Sequence, residues 1–139
     1  MARIKIFRTL AFATPSNDDV ERAVRMVVTK EKIHDPEISV IFIDDRKMKR
    51  MNTEYLQHRY STDVLAFLLE SRPALEGEVY VCIDMARRQA KEYGVPVREE
   101  ILRLVIHGVL HLCGYEDETF AGSQEMHERE DAVLAKMKK

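Results

Sequence analysis

The chain has 139 residues, of which 45% are hydrophobic and 33% are charged. This length predicts one domain, spanning 1–139, and the composition is typical of a globular protein rather than a disordered or fibrous one. A formal net charge of −2 excludes a histone-like polycation, and two cysteines cannot build a disulfide framework. The N-terminus lacks the apolar core of a signal peptide, and no apolar run is long enough to span a membrane. We therefore expect a cytoplasmic protein without a membrane segment.

The first half of the chain is predicted to mix strands with helices. Alternating or β-branched residues indicate four strands, at 3–9, 37–43, 63–69 and 78–83. A first helix runs to about Lys32 and is capped by Ser16 or Asn17. A second, short and basic helix runs to about Leu56 and is capped by Asp44 or Asp45.

The second half of the chain is predicted to be helical. Periodicity and glycine positions indicate three helices, at about 84–93, 97–113 and 119–136. Segment 101–106 is apolar on nearly every face, which predicts a central helix buried on several sides. A short turn at 72–77 favours a hairpin of the last two strands. The earlier strands are separated by helices long enough for parallel crossovers. The predicted fold class is α/β (α+β), with a mixed sheet of about four strands packed with about five helices.

The predicted central helix carries a histidine pair with metal-ligand spacing. His107 and His111 lie four residues apart, so both imidazoles lie on one face of the helix. Gly114 permits the chain to turn back and brings Asp117 near them. Two imidazoles and one carboxylate are a common zinc set that leaves a fourth position open. The alternative is a pair of core histidines, but burying two imidazoles costs free energy unless both find polar partners.

The same spacing occurs in the metal helix of zinc proteases, H-E-x-x-H-x-x-G-x-x-H. There the glutamate after the first histidine is the general base. This chain has Gly108 at that position, and glycine cannot accept a proton. The sequence therefore predicts a zinc-protease-like metal helix while disfavouring the alternative of an unusual zinc peptidase.

Residues 107–117, H-G-V-L-H-L-C-G-Y-E-D, resemble the H-G-x-L-H-L-x-G-Y-D-H signature of the YbeY family. Further segments of the chain look like other family motifs in the same order: N-T-E-Y at 52–55, S-T-D-V-L-A-F at 61–67, G-E-V-Y-V-C-I at 77–83 and A-R-R-Q-A at 86–90. The resemblance implies a zinc-dependent, single-strand-specific endoribonuclease of ribosomal RNA maturation, with one Zn²⁺ per chain. It also implies ribosomal RNA and the small ribosomal subunit as partners. The oligomeric state stays open.

The chain departs from the family pattern at the third ligand and in the RNA-contacting segment. Asp117 stands where the family usually has histidine, and Glu116 replaces the preceding aspartate. Leu56 stands where the family commonly has an arginine thought to contact RNA. His58 and Arg59 lie close by and are candidates to replace it.

No residue identifies itself as the general base, and the catalytic candidates are Glu116, Arg59 and Arg103. Arg103 lies one turn before His107, where it could bind a phosphate, orient a ligand, or pair with Glu99 or Glu100. The candidates for RNA binding are His58, Arg59, Arg87 and Arg88.

Basic residues also cluster at 46–50, which for a single cluster more often indicates a solvated helix face than an RNA site. Cys113 is a weak candidate for a fourth ligand, because it points to another face of the helix than His111. Four protein ligands would indicate a third function, a non-catalytic ribosome assembly factor with a structural metal.

Overall fold

The computed structural model describes residues 1–56 and 62–138. Its strands are β1 (Arg3–Arg8), β2 (Glu37–Ile43), β3 (Val64–Glu70) and β4 (Glu76–Cys82). They form one sheet in the order β1-β2-β4-β3, so that β1 and β3 are its edges. The pairs β1–β2 and β2–β4 are parallel, whereas β3 and β4 are antiparallel. The predicted hairpin and parallel crossovers are confirmed.

The helices are α1 (Asn17–Lys30), α2 (Asp45–Met51), α3 (Ile83–Tyr93), α4 (Val97–Leu112) and α5 (Phe120–Met137). The predicted α/β fold with four strands and five helices is therefore confirmed. Ser16 and Asp44 are the residues whose side chains cap α1 and α2. The second predicted helix reaches Leu56 as expected, but only Asp45–Met51 is α-helical. Its last part, Asn52–Leu56, is a π-helical turn.

The prediction of a turn at 72–77 is wrong for its last two residues. Glu76 and Gly77 already belong to β4, where Gly77 pairs with Ile38. A Cβ atom at Gly77 would lie 2.7 Å from both terminal methyl groups of Leu112. Glycine is therefore present because α4 approaches the strand closely, and its usual association with turns is misleading here.

The sheet has one deeply buried face, on which α1 and α4 pack, while α3 and α5 pack against α4. Its core consists of alternating strand residues such as Val40 and Val79, which are fully buried. Helix α4 contacts β3, β4 and three of the other helices, α1, α3 and α5, as its apolar sequence predicts. The opposite face is covered in part by α2, where Met48 and Met51 pack against Ile43 and Cys82.

The midpoint of α4 lies against the sheet at Gly108. A Cβ atom there would lie 2.4 Å from Cγ1 of Val79 and 3.2 Å from Cγ2 of Val64. This close approach fixes the rotation of the helix and turns the neighbouring His107 away from the strands. Within the residues described, no helix is long and apolar enough to cross a membrane.

Candidate metal centre

The end of α4 brings the three predicted ligands together. The N–H of Gly114 donates to the carbonyl of His111, and the N–H of Tyr115 donates to that of Leu110. Gly114 has a φ of 102°, which L side chains rarely adopt, so glycine is needed for this reversal. The chain then runs back along the last turn and places the Asp117 carboxylate beside both imidazoles.

The three ligand atoms form a nearly equilateral triangle. Nε2 of His107 and Nε2 of His111 are 3.0 Å apart. Oδ2 of Asp117 lies 3.2 Å from the first nitrogen and 3.5 Å from the second. Ligands at zinc–nitrogen and zinc–oxygen distances in a tetrahedral site lie about 3.3 Å from each other. The triangle therefore has the size that a tetrahedral divalent ion needs.

Hydrogen bonds at the far side of each ring fix the histidine tautomers. Nδ1 of His107 donates to Oε2 of Glu130 at 2.6 Å, and Nδ1 of His111 donates to the carbonyl of Tyr115 at 3.0 Å. With both protons on Nδ1, both Nε2 lone pairs point toward the same small space. Two facing lone pairs repel each other unless a cation or a proton lies between them, so these residues fit a metal ion.

Glu130, which the sequence analysis missed, holds the first ligand. It lies on α5, is only 3% exposed, and also accepts a hydrogen bond from Nη1 of Arg103 at 3.0 Å. The second amino group of Arg103 donates to Asp131 at 2.7 Å. Of the interpretations of Arg103, its contacts support ligand orientation, because its ion pairs are with Glu130 and Asp131 rather than with Glu99 or Glu100.

The acidic surroundings of the site shift the titration of His107. Burial alone lowers the pKa of this imidazole, but the hydrogen bond and charge of Glu130, with the charge of Asp117, outweigh that effect. The net pKa is raised above 6.5. Surroundings that favour a positive imidazole also favour a divalent cation between the same groups.

A second buried acid lies on the same side of α4, two turns before His107. Glu100 is 3% exposed, and burial raises its pKa to about 7. The neighbouring charge of Arg103 opposes this shift, whereas Asp63 and Glu130 add to it. From the sequence alone, Glu100 is a candidate only for pairing with Arg103, and its burial is not expected.

The other predicted residues are more dispersed. His58 and Arg59 lie outside the described residues. Arg88 donates two hydrogen bonds to Asp45, at 2.7 and 2.8 Å. Arg87 makes a long pair of 3.9 Å with Asp84, so it is the less constrained of the two.

The two remaining candidates line one cavity beside the turn after α4. Glu116 is exposed and lines a cavity of about 450 Å³ together with Glu31 and Glu125. The three predicted metal ligands do not line this cavity. Cys113 lines the same cavity, and burial raises the pKa of its thiol to about 11. Such a thiol is poorly disposed to become a thiolate ligand.

Comparison with known proteins agrees with this architecture. A family model described as Endoribonuclease YbeY matches residues 9–138. An endoribonuclease YbeY of Chloroherpeton thalassium is 41% identical over 118 residues, which cover 85% of this chain and 84% of that relative. One of Chlorobium phaeobacteroides is 31% identical over 134 residues, or 96% of each chain. The solution structure of TM1509 from Thermotoga maritima matches with a TM-score of 0.69 and 30% identity, covering 99% of this chain and 89% of that one. The chain therefore belongs to the YbeY family of endoribonucleases.

Proposed function

We propose that this protein is a zinc-dependent endoribonuclease that cleaves single-stranded RNA. His107, His111 and Asp117 hold one Zn²⁺ per chain. The substrate is ribosomal RNA, which the protein binds on the small ribosomal subunit in the cytoplasm. Residues 1–139 act as one hydrolase domain. The observation that carries the proposal is the triangle of two Nε2 atoms and one carboxylate oxygen, 3.0 to 3.5 Å on each side.

When bound, a zinc ion supplies a Lewis acid for phosphate oxygens and lowers the pKa of a coordinated water. The residues of the chain prepare for that chemistry. Glu130 and the carbonyl of Tyr115 hold the two imidazoles in the tautomer that presents Nε2. Asp117 contributes a negative charge and is 40% exposed, so the triangle opens to solvent on its side. Three protein ligands leave a coordination position for substrate or water.

Arg103 stabilises this arrangement through Glu130, the partner of His107. It is 23% exposed, and both of its amino groups are engaged with Glu130 and Asp131. Its hydrogen bond to Glu130 holds that side chain in place to accept the proton of His107 Nδ1. We therefore assign Arg103 as a positioning residue, and among the catalytic candidates Glu116 and Arg59 remain.

The two competing functions have less support. Peptide hydrolysis needs an acid next to the first histidine, but a side chain at Gly108 would point into Val79 of β4 instead of the site. A closed structural metal needs a fourth protein ligand. Cys113, the candidate for it, is not among the groups that converge on the triangle.

The test is cleavage of a labelled single-stranded RNA by protein of measured zinc content. We expect cleavage that a chelator abolishes and that added Zn²⁺ restores. His111→Ala removes a ligand and should lose both zinc and cleavage. His34→Ala is the matched control, because it makes the same chemical change at an exposed histidine outside the site.

Two results would contradict the proposal. One is RNA cleavage by His111→Ala at the wild-type rate, which would place the activity elsewhere. The other is chelator-sensitive cleavage of casein by the wild-type protein without cleavage of RNA, which would favour the peptidase.

A further inference from the structure

The outer face of the sheet, opposite α4, carries a small cavity with aromatic walls. Its volume is about 180 Å³, well below that of sites which enclose a whole drug-sized ligand. We call it the aromatic pocket, and its lining residues are Met51, Tyr55, Phe67, Leu69, Glu78 and Tyr80. None of them belongs to the candidate metal centre.

The rings of the aromatic pocket are arranged edge to face. The ring centres of Tyr55 and Phe67 are 5.6 Å apart at 64°, and those of Phe67 and Tyr80 are 5.8 Å apart at 79°. Phe67 and Tyr80 are partly buried, but Tyr55 is 61% exposed. An aromatic ring left that exposed beside a cavity can stack on a flat ligand without displacing the core.

The helix that forms one wall of this pocket is basic. Four cationic side chains of α2 are exposed, and none forms an ion pair within residues 1–56 and 62–138: Arg46, Lys47, Lys49 and Arg50. Lys47 lies one turn before Met51 on the same side of the helix. Asp45, the acid nearest to them in the helix, is already paired with Arg88. The rim of the pocket therefore suits a ligand that carries negative charge beside an aromatic group.

The edge strand β3 lines the aromatic pocket on one face and packs against α4, the helix of the metal centre, on the other. Val64 of β3 lies against the Gly108 position, next to the first metal ligand. Phe67 is three residues further along the same strand and on the opposite face, a distance of about 10 Å along the strand. A flexible single strand that passes around this edge of the sheet can reach both faces.

We infer that the aromatic pocket binds one unpaired nucleobase of the RNA substrate, stacked on Tyr55, while the cations of α2 contact the adjoining phosphates. Base stacking on aromatic rings and nonspecific phosphate contacts are the usual means of binding single-stranded RNA. This inference rests on the proposed function, because it assumes an RNA substrate, and it adds where the strand is held outside the metal centre.

Glu78 gives the aromatic pocket a preference among bases. One of its oxygens accepts a hydrogen bond from the hydroxyl of Tyr80 at 3.2 Å. The other can accept from an exocyclic amino group, which cytosine, adenine and guanine carry and uracil lacks. We therefore expect oligocytidylate to bind better than oligouridylate of the same length.

The first test is steady-state cleavage by the zinc-loaded enzyme. Tyr55→Ala removes the stacking ring and should raise KM about tenfold while leaving kcat unchanged. Tyr55→Phe retains the ring and should behave as wild type. Phe7→Ala is the matched control, because it removes a half-exposed ring from the same face of the sheet at its other edge.

The second test detects binding without cleavage. The chain contains no tryptophan, so Tyr55→Trp places a single reporter at the aromatic pocket. We expect oligocytidylate to quench the tryptophan fluorescence saturably, and within the mixing time of a stopped-flow experiment. Oligouridylate should quench it less. Polyphosphate, which has the charge but no bases, should not quench it.

The outcomes separate this inference from the proposed function. RNA cleavage with an unchanged KM in Tyr55→Ala, and no quenching of Tyr55→Trp, would overturn the inference and leave the endoribonuclease intact. Equal loss in Tyr55→Ala and Phe7→Ala would also overturn it. Quenching by oligocytidylate in a protein that does not cleave RNA would support the pocket and contradict the nuclease.

Discussion

The contact between Glu130 and His107 offers a sharp test of how the site is built. Glu130→Gln keeps the shape of a residue that is only 3% exposed and removes its charge. The amide oxygen can accept from His107 Nδ1, but its NH₂ group then faces Nη1 of Arg103, which is also a donor. In the flipped orientation the NH₂ group donates to Nδ1, and the imidazole proton moves to Nε2, where it blocks a metal. The first orientation sets two donors against each other, and the second satisfies both neighbours only in the His107 tautomer that cannot bind a metal through Nε2.

We expect Glu130→Gln to weaken zinc binding by 10- to 100-fold, or about 1.4 to 2.7 kcal/mol. The assay is competition between the protein and a chromophoric chelator, with the melting temperature of the metal-free variant measured alongside. Asp131→Asn is the matched control, since it changes the other partner of Arg103 without touching His107. Wild-type zinc affinity in Glu130→Gln would refute the reasoning, and so would an equal loss in Asp131→Asn.

Three further predictions concern the third ligand, the helix packing and the second buried acid. Asp117→Ala should purify with less than one zinc per chain by metal analysis, whereas Asp117→His should retain it; full occupancy of the alanine variant would show that Asp117 is not a ligand. Gly108→Ala should lower the free energy of unfolding by about 1 to 3 kcal/mol in urea, because the new Cβ would lie 2.4 Å from Val79; unchanged stability would contradict this close packing. Glu100 has a pKa raised from 4.5 to about 7, so the folded state keeps a proton that the unfolded state releases, and stability falls as the pH rises between these values. Glu100→Gln should remove this fall and be more stable than wild type at pH 8 by about 3 kcal/mol, and a parallel pH profile of the two proteins would contradict it.

Much of the fold follows from patterns that depend on near neighbours in the chain. The alternation at Glu37–Ile43 and the apolar surface of α4 predict a strand and a central helix, and both are confirmed. Gly77 is an exception, because the need for glycine at this position comes from a tertiary contact. It makes room for Leu112, a residue 35 positions away, which local turn chemistry cannot reveal.

In the candidate metal centre too, local patterns predict some residues and tertiary contacts bring in others. The spacing of His107, His111 and Asp117 follows helical geometry and a glycine reversal, so the sequence alone brings the three together. Glu130 reaches the site from another helix, and no local motif announces it. A signal was present, since this acid occupies a position in the apolar stripe of α5 between Met126 and Val133. A buried acid in such a stripe needs a charged or hydrogen-bonding partner, and here the partners are His107 and Arg103.

The central claim is that two imidazoles and one carboxylate hold a zinc ion with an open position. X-ray absorption at the zinc K-edge of the purified protein measures this most directly. We expect a first shell of nitrogen and oxygen only, at about 2.0 to 2.2 Å, with two imidazole ligands. A sulfur neighbour at about 2.3 Å would identify Cys113 as a fourth ligand of a closed structural site, and would contradict an open catalytic site.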